Sequence, residues 1–182
     1  MDTLLEFLGF TTIASIVWNA ISYIAFIAII VGVFSERYRN TLITLGAVAL
    51  APYAWIFLDS SLFATLQVLI VVSGILQLTK VSKRPAVIVM LTLTTAAYVF
   101  LFAGGAIVDA WALMGSFGLL GIVFGLTVLP KRYGFVLMIA GGVLLIFYAF
   151  HTAAWVFFFL NIFFSIANLY IWQKARIDKF LQ

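Results

Sequence analysis

The residues of this chain that can do chemistry inside an apolar setting are few, and most of them are amides. In the stretch "FFFLNIFFSIANLYIW" (157–172), Asn161, Ser165 and Asn168 stand at i, i+4 and i+7. On a helix these positions fall on one face and form a polar stripe. Gln67 and Asn19 are amides in similarly apolar surroundings. Amides donate and accept hydrogen bonds but do not titrate, so such groups can hold a polar solute without transferring a proton.

The ionisable inventory points the same way. No Asp, Glu, Lys, Arg or His falls deep inside an apolar run, and buried ionisable groups are what proton relays and voltage sensors require. Asp59, Asp109 and His151 lie in separate turns with no helical spacing, and His151 reads as a polar turn residue rather than a ligand. The chain has no cysteine, hence no thiolate nucleophile and no cysteine metal site. Phosphate-binding loop, zincin and nucleophile-elbow motifs are absent, and Lys174 stands at a helix end rather than at the mid-helix position that a retinal Schiff base requires. The reading is a non-enzyme with neither cofactor nor metal.

These residues need elements to position them. Of 182 residues, 66% are hydrophobic and 9% charged, with a mean hydropathy of +1.25; soluble domains carry roughly 25% charge. Continuous apolar runs of about 20 residues, the length that crosses a bilayer core, identify an integral membrane protein. Seven spans are expected, at 11–34, 41–58, 61–79, 86–107, 110–129, 134–150 and 152–173, with the tight turns "LDSS" and "FHT" dividing the second from the third and the sixth from the seventh. The runs lack the alternation of barrel strands. The segment 1–10 is acidic and free of Lys and Arg, unlike a cleaved signal peptide.

All ten cations follow odd-numbered spans: Arg37 and Arg39, then Lys80, Lys83 and Arg84, then Lys131 and Arg132, then Lys174, Arg176 and Lys179. By the positive-inside rule the N-terminal segment 1–10 lies outside and the tail 174–182 in the cytoplasm, as expected of a bacterial cytoplasmic-membrane protein. The basic balance implies contact with anionic headgroups of the lipid bilayer, not nucleic acid.

The chain also repeats itself. "ERYRNTLITLGAVALAPYAWIF" (from 36) aligns with "KRYGFVLMIAGGVLLIFYAF" (from 131), placing Tyr38 over Tyr133, Gly46 over Gly141 and Tyr53 over Tyr148 at a constant offset of 95. One residue is lost at the following turn, after which Phe63 lies over Phe157, Gln67 over Asn161 and Gly74 over Asn168. Residues 11–79 and 110–173 thus read as two parallel three-helix repeats, joined by an inverting linker helix at 86–107. In this plan the chain resembles the SWEET sugar facilitators and the PnuC vitamin-precursor transporters, both built as three-plus-one-plus-three helices. The resemblance is one of architecture, and it implies a substrate held between the repeats near mid-membrane.

The expected site therefore joins Asn161, Gln67, Asn168 and Asn19 with aromatic walls from Trp18, Tyr53, Tyr148 and Trp155, toward the outer face. Each amide also has a plainer use as interhelical glue, and the tryptophans as interfacial anchors. Pro52 removes a backbone hydrogen bond and kinks its span or serves as a hinge. Gly118, Gly121 and Gly125 form a small-residue face for close helix packing, within the second repeat or between protomers of a homo-oligomer. Two functions of different class remain open. One is a facilitator of a small neutral or weakly charged polar solute; the other is a non-transporting scaffold or subunit of a larger membrane complex.

Overall fold

The computed structural model describes residues 13–35, 37–128 and 132–180. Segment 1–10, Lys131 and the last two residues of the tail lie outside the described residues. Among the described residues seven helices follow one another: α1 (Ile13–Phe34), α2 (Arg39–Pro52), α3 (Ser61–Leu78), α4 (Lys83–Ala103), α5 (Ala110–Val128), α6 (Arg132–His151) and α7 (Trp155–Phe180). A π-helical turn, Tyr53–Phe57, extends α2. All seven are long and apolar enough to cross a membrane. Their outward faces carry exposed Ile, Val and Phe, such as Ile24, Ile27 and Val31 on α1 and Val99 and Phe102 on α4. Such faces suit hydrocarbon, where only helices with internally satisfied backbones are stable.

Local chemistry sets the helix ends. Ser60 caps α3 by accepting from the Phe63 amide, and Asp109 caps α5 by accepting from the Ala112 amide at 2.7 Å. Helix α4 stops at Ala103 rather than at 107, because Gly104 closes it and Gly105 turns left-handed at φ +68°. The tight turns after α2 and α6 each place one residue in the left-handed region, Asp59 at φ +48° and Ala153 at φ +53°. The last helix begins at Trp155, not 152, and stays helical well past 173.

Six of the helices close into a ring in the order α1, α2, α3, α5, α6, α7, with α7 returning to α1. The seventh, α4, lies outside the ring against α3 and α5, and of its residues Met90, Thr94 and Leu101 are buried. Where α5 meets α6 the backbones come very close. A Cβ on Gly121 would strike the Gly141 backbone, and Gly118 and Gly125 face Leu145 and Met138 of the same helix. This glycine face is therefore occupied inside the chain, by α6.

Proline and π turn act together at the end of α2. Pro52 has no N–H to give, and the next five residues widen to i→i+5 pairing, with Leu58 N–H donating to the Tyr53 carbonyl at 3.1 Å. A π turn holds one more residue than the α-helical path it replaces.

Candidate functional site

Gln67 on α3 and Asn161 on α7 face one another's helices across the centre of the ring. Both are buried, 1% and 3% exposed, and both line a small central cavity. The rest of its wall is aliphatic and aromatic: Ile29 from α1, Ile43 from α2, Leu66 and Ile70 from α3, Ile122 and Leu126 from α5, and Phe157, Leu160 and Phe164 from α7. Five of the six ring helices contribute. At about 20 Å³ the cavity has room for roughly one water.

The two amides are bonded differently. Asn161 Nδ2 donates to the Phe157 carbonyl of its own helix at 2.7 Å, which fixes the side chain over the preceding turn. Gln67 Oε1 is buried and has no hydrogen-bond partner. A buried acceptor without a donor costs about 1–3 kcal/mol. The site therefore presents an acceptor that a solute with an O–H or N–H would satisfy.

An aromatic layer covers the cavity on the side of the Asp59 turn. Phe63 and Phe157 stack face to face, 4.2 Å between ring centroids and 7° between planes. Tyr148 packs on Phe63 at 5.2 Å and Tyr53 on Phe157 at 6.3 Å. The Tyr53 hydroxyl donates to Asn19 Oδ1 at 2.9 Å in a fully buried tie between α2 and α1. Below the cavity, Ile43, Ile70 and Leu126 separate it from a narrower void lined by Arg39, Asn40, Ser73 and Gln77. Arg39 there donates to the Val33 carbonyl at 2.9 Å and lies 5.7 Å from the Phe135 ring centre, while Gln77 Nε2 donates to Ser73 Oγ at 3.2 Å.

The structure thus joins some of the expected residues and separates others. Gln67 and Asn161 share one cavity. Tyr53 and Tyr148 belong to the layer above it, and Asn19 is committed to Tyr53, so the wall expected from these residues is supplied by isoleucines, leucines and phenylalanines instead. The physical reason is volume: Phe63 and Phe157, both fully buried, fill the space where a wider pocket would open. Asn168 is buried and donates to its own Phe164 carbonyl at 2.8 Å, outside the cavity lining. Trp18 is half-buried against the core, and Trp155 sits edge-on to Phe150 and Phe158, near 6 Å from each. Asp59, Asp109 and His151 do not converge: Asp109 caps α5, and His151 stacks on Trp111 at 4.7 Å. Among the described residues no group of three or more His, Cys, Asp or Glu is placed to hold a metal ion.

Sequence reasoning overlooked the stacked phenylalanines and the Ile43, Ile70 and Leu126 constriction. The signal for the first was present, since Phe63 and Phe157 align in the repeat; the second carries none, being aliphatic among aliphatics.

No protein-family model matches this chain, and no curated protein or solved structure does either.

Proposed function

We propose that this seven-helix membrane protein is a facilitator that carries a small, neutral or weakly charged, hydrogen-bond-donating solute, of the sugar or vitamin-precursor kind, between two parallel three-helix repeats. The observation that carries the reading is the central cavity, whose wall contains both Gln67, with its unpartnered Oε1, and Asn161. Cavity-lining residues pair across the halves at a constant offset of 94: Leu66 with Leu160, Gln67 with Asn161, Ile70 with Phe164. The aromatic layer has the same pairing. Exchange of Phe63 with Phe157 and of Tyr53 with Tyr148 turns the Tyr53–Phe157 contact into Tyr148–Phe63 and leaves the stacked pair in place.

Helix packing supports the repeat as well. The α1–α7 contact becomes the α5–α3 contact on exchanging halves, and the left-handed turn residues Asp59 and Ala153 correspond. The change of offset from 95 to 94 falls between Ala54 and Asp59, where the π turn lodges one extra residue in the first half. Together these pairings favour a pseudo-two-fold axis along the membrane normal, the geometry of parallel-repeat carriers. The ring layer above the cavity and Ile43, Ile70 and Leu126 below it are the two barriers that an alternating-access cycle would open in turn. The described cations, Arg37, Arg39, Lys80, Lys83, Arg84 and Lys174, gather at one end of the bundle, which the positive-inside rule assigns to the cytoplasm, so that the chain starts outside and ends inside.

The test is uptake of radiolabelled sugars, nucleosides and vitamin precursors into proteoliposomes. Saturable uptake of one class above empty vesicles, lost in Asn161→Leu, is expected. Absence of uptake across the panel with a folded protein favours the scaffold reading.

A further inference from the structure

Resting on the carrier reading, we infer that the solute reaches the Gln67 and Asn161 cavity from the Asp59 end, and that the stacked pair Phe63 and Phe157 is the barrier that decides what passes.

A vestibule of about 350 Å³ opens at the Asp59 turn, between the α2–α3 and α4–α5 connections. Its lining is polar where it matters: Asp59, Ser60, Ser61 and Thr152 offer oxygens, and Tyr148 forms part of its floor. That floor is thin. Tyr148 packs directly on Phe63, Phe63 stacks on Phe157, and Phe157 lines the central cavity. One layer of rings therefore separates a space large enough for a small solute from a buried site with room for about one water.

The stacked pair itself is built to part rather than to lock. Phe63 belongs to α3 in the first half and Phe157 to α7 in the second, and their mutual contact is apolar stacking with no hydrogen bond to break. One hydrogen bond crosses the halves at this level, between Tyr148 and Ser60, while the Tyr53 to Asn19 tie stays within the first half. A rocking of the halves about their common axis separates the two rings and leaves that tie intact, opening the vestibule onto Gln67. Once inside, a solute meets the Phe157 face from below and satisfies the Gln67 acceptor, so ring-faced molecules with an O–H or N–H are the class selected.

The chain has no cysteine, so single cysteines report access without background. Gln67→Cys would be exposed to a membrane-impermeant thiol reagent from each side of the membrane in turn, with Ala106→Cys, at the vestibule, marking the Asp59 side. Slow labelling of Gln67→Cys is expected while both phenylalanines are present. Adding Phe63→Ala or Phe157→Ala should speed labelling from the Asp59 side by about tenfold or more, a shift of roughly 1.4 kcal/mol in the opening equilibrium. If either alanine variant fails to give monodisperse protein, Phe63→Leu and Phe157→Leu take its place, with a smaller acceleration from the same side. Fast labelling from the Asp59 side with the ring pair intact, no acceleration in folded variants, or acceleration only from the opposite side would each overturn the inference. Labelling needs no transport, so the gated pattern without solute flux would sink the carrier reading alone, and flux without the gated pattern would sink this inference alone.

Discussion

Replacing Gln67 by leucine is expected to make the protein more stable and less active. The side chain is 1% exposed, its Oε1 lacks a donor, and its neighbours in the cavity are Leu66, Ile70, Ile122 and Leu126. Leucine has nearly the volume of glutamine and carries no polar atom, so the substitution removes a buried unsatisfied acceptor without opening a void. The desolvation cost recovered is about 1–3 kcal/mol, less a fraction of a kcal/mol for imperfect repacking of a branched side chain. A net gain of roughly 1–2 kcal/mol is therefore expected. Reversible unfolding in mixed micelles with increasing denaturing detergent would measure it, on wild type and Gln67→Leu side by side. Solute uptake by the same variant should fall by about an order of magnitude, as expected when one hydrogen bond worth roughly 1.4 kcal/mol is lost. Stability won at the expense of activity is the mark of a polar group kept for a ligand. A loss of 1 kcal/mol or more in Gln67→Leu would refute the reasoning, because it would mean the amide is a structural tie.

Asn19 should behave in the opposite sense. A double-mutant cycle of Asn19→Leu with Tyr53→Phe is expected to give a coupling of about 0.6–1.7 kcal/mol in favour of the native pair, read by the same unfolding assay. Gly121→Leu, whose side chain would collide with the Gly141 backbone, should cost about 1–3 kcal/mol or more and lower the yield of monodisperse protein. Deleting the exposed residue Ile56 from the π turn should leave a folded protein, since the turn then tightens into an ordinary α-helical path; deleting Phe147, which lies in α-helical α6, should not, because every following side chain of that helix swings by about 100°. Size-exclusion profiles of the two deletions decide the point.

How far the sequence foretold this arrangement differs from element to element. Span positions were legible because hydrocarbon thickness fixes run length, and the turn "LDSS" fell on the reversal between α2 and α3, whereas "FHT" was read early, since Phe150 and His151 still belong to α6 and the chain turns at 152–154. The helix ends were less so: α4 ends early at Gly104, a signal present in "AGGA" but overridden by the hydrophobicity of the residues after it. Amide identity marked Gln67 and Asn161, since unpaired amides cannot face lipid. What the sequence hid was the division of labour among the aromatics. Tyr53, Tyr148, Phe63 and Phe157 look alike in a chain with 19 phenylalanines, and only three-dimensional stacking shows that they form a layer above the amides instead of walls around them. Likewise Asn19 and Asn161 are the same residue type at similar depth, yet one bonds across helices to Tyr53 and the other to its own backbone. The π turn was legible only as a loss of one residue in the alignment, with the physical form of that loss left to the backbone.

The central claim, that solute passes through the Gln67 and Asn161 cavity by alternation of the two halves, is tested most directly by counterflow. Proteoliposomes loaded with unlabelled solute are diluted into a trace of the same solute in labelled form. A carrier should accumulate label transiently above its equilibrium level, and both Gln67→Leu and Asn161→Leu should abolish the overshoot while remaining folded. Monotonic equilibration in the wild type would contradict alternating access, and an overshoot that survives both substitutions would place the solute path elsewhere in the protein.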